Sequence, residues 1–162
     1  MFIAGFGGSV PGFSESKQIW WGCPFDTDEA FGKEFNPFME AVMDDKSVES
    51  KRCVILFTHN GPSMSSTTED WRNNSMDKVI YSGSEQVTKA LLNEKLREKF
   101  ICNIHGHTHN GFGMAHIGNV PVINPGSLQG SKDEVHDDYN FALLDLVQFE
   151  DKTWKVNNVD FK

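Results

Sequence analysis

Short apolar runs alternate with longer polar segments along this chain. The runs at 2–8, 52–59 and 100–106 are rich in β-branched and aromatic residues, and they predict strands. Four consecutive residues of the run at 52–59 are wholly apolar, which is typical of a strand buried on both faces. Glycines close the first run, so a loop should follow that strand.

Two of the intervening segments have helical features. Residues 26–45 begin with acidic side chains, which suit the N-terminus of a helix, so part of this segment should be helical. Gly32 and Pro37 argue against a single unbroken helix there. Residues 84–99 predict one helix, with Ser84 as the N-cap and an apolar stripe on one side.

The remaining segments predict a long loop and two hairpins. Turn-forming residues dominate 60–75, whereas 113–127 predict two short strands and an Asn-Pro-Gly turn. Residues 139–149 and 153–161 predict a terminal hairpin. Helices between strands, followed by hairpins, indicate a layered α/β fold with a mixed sheet. Because the chain has 162 residues, one domain over 1–162 is expected.

The composition limits which partners the protein is expected to bind and in which cellular compartment it is expected to function. The formal net charge is −8, which argues against a nucleic-acid or anionic-membrane surface. No apolar run reaches the roughly 20 residues that span a bilayer, and the first residues lack the basic start of a signal peptide. The cysteines show no CxxC spacing, and Cys53 and Cys102 lie in apolar runs, as buried thiols would. A cytoplasmic protein without a membrane partner is therefore expected.

The segment "NIHGHTHNG" carries the clearest candidate chemistry. His105, His107 and His109 occupy alternate positions. Side chains two residues apart share a face of an extended segment, so the three imidazoles could point the same way. Neutral imidazole is the commonest protein ligand for transition metals. The pattern therefore indicates a metal site.

A fourth histidine strengthens this hypothesis by its position. His59 stands at the end of the predicted strand 52–59, and the histidine cluster follows the predicted strand 100–106. In open α/β sheets, ligands bind beyond the carboxyl ends of the strands. The loops 59–62, 105–111 and 124–127 are therefore expected to converge at one edge of the sheet.

Three motifs in these loops carry a family resemblance. "FTHNGP", "IHGHTHNG" and "VINPGSL", in this order, resemble the later motifs of the calcineurin-like metallophosphoesterases, and "YSGSEQVTKAL" resembles the Gly-Ser that precedes a helix in that family. The likeness covers about residues 52–148. It implies a layered sandwich of mixed β-sheets flanked by helices (αββα), with this chain corresponding to the C-terminal part of the domain.

The resemblance also implies roles for individual residues. His59 and His107 would bind one metal of a dinuclear site, and His109 the other. Positions that would support the loops are Asn60, Gly106, Asn124 and Ser127. His105 lies outside the family pattern; it is either a strand-end residue bonded to the backbone or an additional ligand. His116 and His136 are expected to be structural or exposed.

The earlier motifs of the family are absent from this sequence. Neither Asp-x-His, Gly-Asp-x-x-Asp nor Gly-Asn-His followed by an acid occurs. The resemblance implies two ions of Mn, Fe or Zn, of which this chain would hold one or none. Weak activity is expected, and no catalytic acid or base is identified. A sheet edge left exposed by the missing units would favour a homodimer or an exchange of elements between two chains.

Three interpretations of function stay open. The first is a metal-dependent hydrolase of phosphate mono- or diesters, with Trp71 and Arg72 of the polar loop available to contact the substrate. The second is a catalytically inactive module with the phosphoesterase fold that binds other proteins. The third is a structural domain whose histidines are incidental.

Overall fold

The computed structural model describes residues 1–48, 51–71, 79–127 and 140–162. The described part is a mixed α/β fold with three sheets and three helices. The helices are α1 (Asp28–Asp44), α2 (Glu85–Leu92) and α3 (Glu94–Arg97). The strands are β1 (Phe2–Phe6), β2 (Gly12–Ser14), β3 (Lys17–Trp20), β4 (Val54–Thr58), β5 (Glu69–Trp71), β6 (Val79–Tyr81), β7 (Phe100–His105), β8 (Gly113–Ile117), β9 (Val120–Asn124), β10 (Ala142–Gln148) and β11 (Trp154–Phe161).

A five-stranded sheet forms the centre of the fold. Its order is β1-β4-β7-β9-β8, in which the first four strands are parallel and β8 runs antiparallel to β9. The strands predicted near 2–8, 52–59 and 100–106, and the hairpin within 113–127, are confirmed. Because the parallel strands run the same way, their carboxyl ends meet at one edge.

Apolar side chains cover both faces of this sheet. Val54 and Leu56 of β4 point to the helices, whereas Ile55 points to the hairpin of β10 and β11, as alternation along a strand requires. The helices contribute the buried residues Phe31, Phe35, Met39, Val87, Ala90 and Leu91. The hairpin contributes Leu144, Leu146, Trp154, Val156, Val159 and Phe161. The predicted layered α/β arrangement is therefore present.

Helix α1 corrects the prediction that its segment would be broken. It is one helix over Asp28–Asp44, with Pro37 inside it. The side chain of Thr27 caps it by accepting a hydrogen bond from the amide of Ala30 at 3.1 Å. Gly32 allows close packing here, since a Cβ at this position would lie 2.9 Å from the side chain of Gln86, which would have to shift. Burial of the phenylalanine face offsets the backbone hydrogen bond that proline removes.

The predicted helix over 84–99 is instead two helices. Ser84 caps α2 as expected, with its hydroxyl accepting from the amides of Gln86 and Val87. Helix α2 ends at Leu92, and the side chain of Asn93 caps a new helix, α3. An asparagine that satisfies the free amides of a new first turn competes with continuation of the old helix.

The predicted loop over 60–75 contains regular structure that the sequence did not indicate. A 3₁₀ turn at Ser66–Thr68 leads directly into β5. Strand β5 belongs to a four-stranded antiparallel sheet of order β3-β2-β6-β5, here called the small sheet. Arg72 and His136 lie outside the described residues, so their expected roles stay predictions.

One side of the central sheet is less covered than expected. Phe57 of β4 is 39% exposed, so the prediction of burial on both faces is wrong for this residue. It lines an open apolar cleft of about 600 Å³ that also contacts Ile3 and Phe141. Cys53 and Cys102 are buried, as predicted. None of the described helices is both long and apolar enough to cross a bilayer.

The carboxylate of Asp28 joins the two main helices. It accepts hydrogen bonds from the hydroxyl of Ser84, the amide of Glu85 and the side chain of Gln86. We expect Asp28→Ala to lower the free energy of unfolding by about 1–2 kcal/mol, because the first turn of α2 loses its acceptors. Urea denaturation measures this loss.

A matched control for that variant is Asp26→Ala, at an exposed position just before α1. It should change the free energy of unfolding by less than about 0.5 kcal/mol. Equal losses in the two variants would contradict the proposed link between the helices.

The homodimer stays a prediction, and the outer edge of β1 is the surface on which it would form. Within the described residues β1 pairs only with β4, and Ile3 is 69% exposed. The strand carries no charge and no proline to discourage pairing with another strand. We expect concentration-dependent dimerisation that Ile3→Lys abolishes and Leu143→Lys on the hairpin leaves intact. Sedimentation equilibrium of a wild-type chain that stays monomeric would contradict this.

Candidate metal centre

The candidate site lies at the edge where the parallel strands end. His59 follows β4, and the segment from Gly106 follows β7. The strand pairing continues one step beyond the strands: the amide of His59 donates to the carbonyl of Phe6 at 3.3 Å, and the amide of Gly106 donates to the carbonyl of His59 at 3.2 Å. These bonds hold the loop after β7 beside the loop after β4.

His59 and His107 are neighbours in this arrangement. Their ring centroids are 5.1 Å apart, with the planes tilted by 60°. The backbone of His107 has φ +65°, a left-handed conformation that is uncommon for residues other than glycine. Its Nε2 is buried and has no hydrogen-bond partner in the described part of the chain. With the proton on Nδ1, this nitrogen has a lone pair available for a ligand.

Burial sets the protonation state of this pair. Loss of hydration is the main cause that lowers the pKa of His107 to about 4, and the charges of His59 and His109 lower it further. His59 is exposed on the surface, but partial loss of hydration lowers its pKa as well, with a smaller effect from His109. Both rings are therefore neutral at pH 7, which is the form that binds metals.

His109 is near this pair but does not complete a three-histidine site. It is exposed, and its influence on the other two histidines is electrostatic. No three His, Cys, Asp or Glu side chains among residues 1–48, 51–71, 79–127 and 140–162 are grouped so that they could hold an ion. The structure thus brings His59 and His107 together and leaves His109 outside the pair.

His105 has a different environment from the other three. It is buried, and its Nδ1 lies 3.0 Å from the carbonyl of Gly106, so Nδ1 carries the proton. Its Nε2 then accepts from the hydroxyl of Thr67 at 2.8 Å. Since both ring nitrogens have partners, the geometry favours the strand-end interpretation over an additional ligand. A Cβ on Gly61 would lie 2.4 Å from this ring, so the close approach requires glycine.

Two buried asparagines fix the surrounding loops. The side chain of Asn60 accepts from the amide of Val10 at 2.9 Å and donates to the carbonyl of Ser82 at 2.6 Å. The side chain of Asn124 donates to the carbonyls of Thr67 and Thr108 and accepts from the amide of Gly126. Both predicted supporting asparagines therefore join separate segments of the chain.

The two other predicted supporting positions play smaller parts in the described contacts. A Cβ on Gly106 would have nothing within 4 Å, so the space beside it is open. The left-handed residue of the motif is His107 rather than this glycine. The carbonyl of Ser127 accepts from the amide of Asn140 at 3.3 Å, which connects the loop after β9 to the segment before β10.

The small sheet brings residues to the site that the sequence reasoning missed. Trp20 packs edge to face with His107 at a centroid distance of 5.4 Å. Asp70 is buried and accepts from the side chain of Asn110 at 2.8 Å. His116, by contrast, is exposed on β8. The only feature of the sequence near these residues was the hydroxyl-rich run at 65–68, and no periodic pattern linked that run to His105.

No known protein family, no curated protein and no solved structure matches this chain.

The buried histidines predict a pH-dependent stability. The pKa of His105 falls from the ordinary 6.5 to about 4, chiefly through burial, so the unfolded chain binds a proton between these values that the folded chain does not. The neutral ring of His105 therefore contributes about 3 kcal/mol to the free energy of unfolding above pH 6.5. This contribution is lost as pH falls toward 4. Urea denaturation at several pH values measures it.

The variant His105→Gln should make this dependence shallower between pH 6.5 and 4, whatever its effect at neutral pH, while His107, whose pKa is also lowered to about 4, keeps its own share of the dependence. His116→Gln removes an exposed histidine and should leave the slope as in the wild type. A slope unchanged by His105→Gln would show that other groups cause the loss of stability in acid.

Proposed function

We propose that this chain carries part of the metal site of a calcineurin-like phosphoesterase, and that its function is the metal-dependent hydrolysis of phosphate mono- or diesters. The observation that supports this most directly is the pair His59 and His107. Two neutral imidazoles stand 5.1 Å apart at the carboxyl edge of a parallel sheet, and one has a buried nitrogen without a partner in the described residues. Ligand sites of open α/β sheets lie at this edge.

The layers of the fold are compatible with this proposal. In an αββα sandwich, the central sheet with α1 and α2 would form one half. The hairpin of β10 and β11 would belong to the second sheet, since it packs on the face opposite the helices. The apolar cleft beside Phe57 lies where further strands of that second sheet would pack.

The donor set favours particular metals. Imidazole suits Mn, Fe and Zn, whereas Mg²⁺ prefers oxygen ligands. His59 and His107 would hold one such ion, and His109 would serve a second. A bound ion supplies a Lewis acid that stabilises negative charge on the phosphoryl oxygens. The residues of this chain prepare the site by keeping His107 half-buried, neutral and oriented by the fixed loop around it.

The inactive binding module has one observation in its favour. The described residues contain no group of three ligands, and the carboxylates that family members use to hold two ions have no counterpart in the sequence. Such a chain could keep the fold and one weak metal position without efficient hydrolysis. Hydrolysis of a phosphate ester by the metal-loaded chain therefore discriminates between the two functions, whereas metal binding tests the site that both of them allow.

Calorimetry with Zn²⁺, Mn²⁺ and Mg²⁺ tests the proposal. We expect Zn²⁺ to bind, and His59→Ala or His107→Ala to weaken that binding by roughly 10-fold or more, because each variant removes a ligand. His116→Ala is the control, since this exposed histidine lies on β8. Mg²⁺ should bind hardly at all. Zn²⁺ affinity that survives the double variant, or tight Mg²⁺ binding, would refute the proposed site.

A further inference from the structure

The small sheet has an inner face that the proposed function does not use. Trp20 on this face contacts the ring of His107, and Asp70 on the same face contacts the loop that carries the histidines. The two residues come from opposite edges of the sheet, on β3 and β5. The inner face therefore forms a wall beside the candidate metal position.

The position of Trp20 depends on a specific feature of the neighbouring strand. Gly12 lies opposite Trp20 in the pairing of β2 with β3, where the register shifts. A Cβ on Gly12 would lie 2.8 Å from Cε3 of the indole and 3.2 Å from Ile80. Glycine at position 12 therefore leaves the space in which the indole lies across β2. The half-buried ring is thus held next to His107 by backbone geometry.

The other face of the small sheet provides a comparison. Phe13 pairs with Tyr81 on this face, and Tyr81 also pairs with Glu69. Trp71 lies on the same face because it is two residues from Glu69 along β5. These aromatic side chains are exposed. Since successive residues of a strand point to opposite faces, Trp71 is separated from the histidines by the thickness of the sheet. It serves as a matched control for Trp20.

We propose that Trp20 forms the wall of a subsite for a planar aromatic ring, so that the substrates of this site are phosphate esters that carry such a ring. The phosphate part of this proposal rests on the proposed function. Stacking of an indole on another ring is favourable, and so is an edge-to-face arrangement of the two rings. A ring bound beside Trp20 places an attached phosphate next to His59 and His107. Aryl phosphates and nucleotides share this chemistry.

The proposal is tested with probes that separate ring from phosphate. Calorimetry on the Zn²⁺-loaded chain compares inorganic phosphate, ethyl phosphate, phenyl phosphate and adenosine monophosphate. We expect at least one ring-bearing ester to bind roughly 10-fold more tightly than ethyl phosphate. Trp20→Leu should bring that ratio close to one, whereas Trp20→Phe should keep most of it. Trp71→Leu should leave the ratio unchanged.

The same comparison identifies the source of the ring. A gain for adenosine monophosphate alone indicates a nucleotide, and a gain for phenyl phosphate alone indicates an aryl ester. Equal affinities for ethyl phosphate and both ring-bearing esters in the wild type would overturn the proposal. So would a ratio that Trp20→Leu leaves intact.

A second measurement separates this proposal from the proposed function. In the metal-free chain, adenosine or phenol should shift the indole N–H resonance of Trp20, identified by its absence from the spectrum of Trp20→Leu. If inorganic phosphate fails to bind the Zn²⁺-loaded chain while either compound shifts that resonance, the phosphoesterase function falls and the ring subsite stands. If both adenosine and phenol leave the resonance in place, the subsite is refuted, whatever the phosphate result.

Discussion

The hydrogen bond between Nε2 of His105 and the hydroxyl of Thr67 joins the last residue of a central strand to the segment that leads into the small sheet. Several other contacts depend on it. The carbonyl of Thr67 also accepts a hydrogen bond from the side chain of Asn124, which holds the loop after β9. Gly61 lies against the His105 ring, so the loop after β4 is shaped by the same imidazole. Burial favours the neutral form of this ring, whose two nitrogens both have hydrogen-bond partners.

This arrangement explains how His107 can hold an unfavourable backbone conformation. A residue other than glycine in the left-handed region costs of order 1 kcal/mol or more and persists only where its surroundings enforce it. The residues on either side provide that enforcement: Thr108 is buried, with its hydroxyl 2.6 Å from that of Ser82, and Asn110 donates to Asp70. The chain thus turns sharply between His105 and Thr108, so His105 points into the protein while His107 points toward His59. The alternation of three histidines on one face, valid for a strand, ends where the strand ends.

The sequence predicted the parts of the molecule that rest on long local patterns. Neighbouring residues in the chain determine the apolar strands β4 and β7, the Ser84 cap and the hairpin turn between β8 and β9. The small sheet was missed because each of its strands has three or four residues, too few to show a period, and because the pairing that joins its two halves, Phe13 with Tyr81, connects segments far apart in the chain. Pro37 was misjudged because local propensity argued against a helix that burial of Phe31 and Phe35 maintains. For the candidate site, the sequence predicted that His59 and His107 lie close together, whereas Trp20 and Asp70 come near them only through the tertiary position of the small sheet.

The electrostatics of the site follow from the same burial. Desolvation, and the repulsion that protonated neighbours would exert, both favour neutral rings at His59 and His107, so the metal-binding form needs no proton to be displaced at pH 7. A divalent ion would bring charge to a position where the two nearest identified ligands are uncharged. Its hydration would be replaced by two imidazoles and by whatever anion accompanies it, and a phosphate ester is such an anion. Under the proposed function, ion and ester should therefore bind more tightly together than either does alone, because the negative charge that the resemblance would assign to carboxylates would come from the ester.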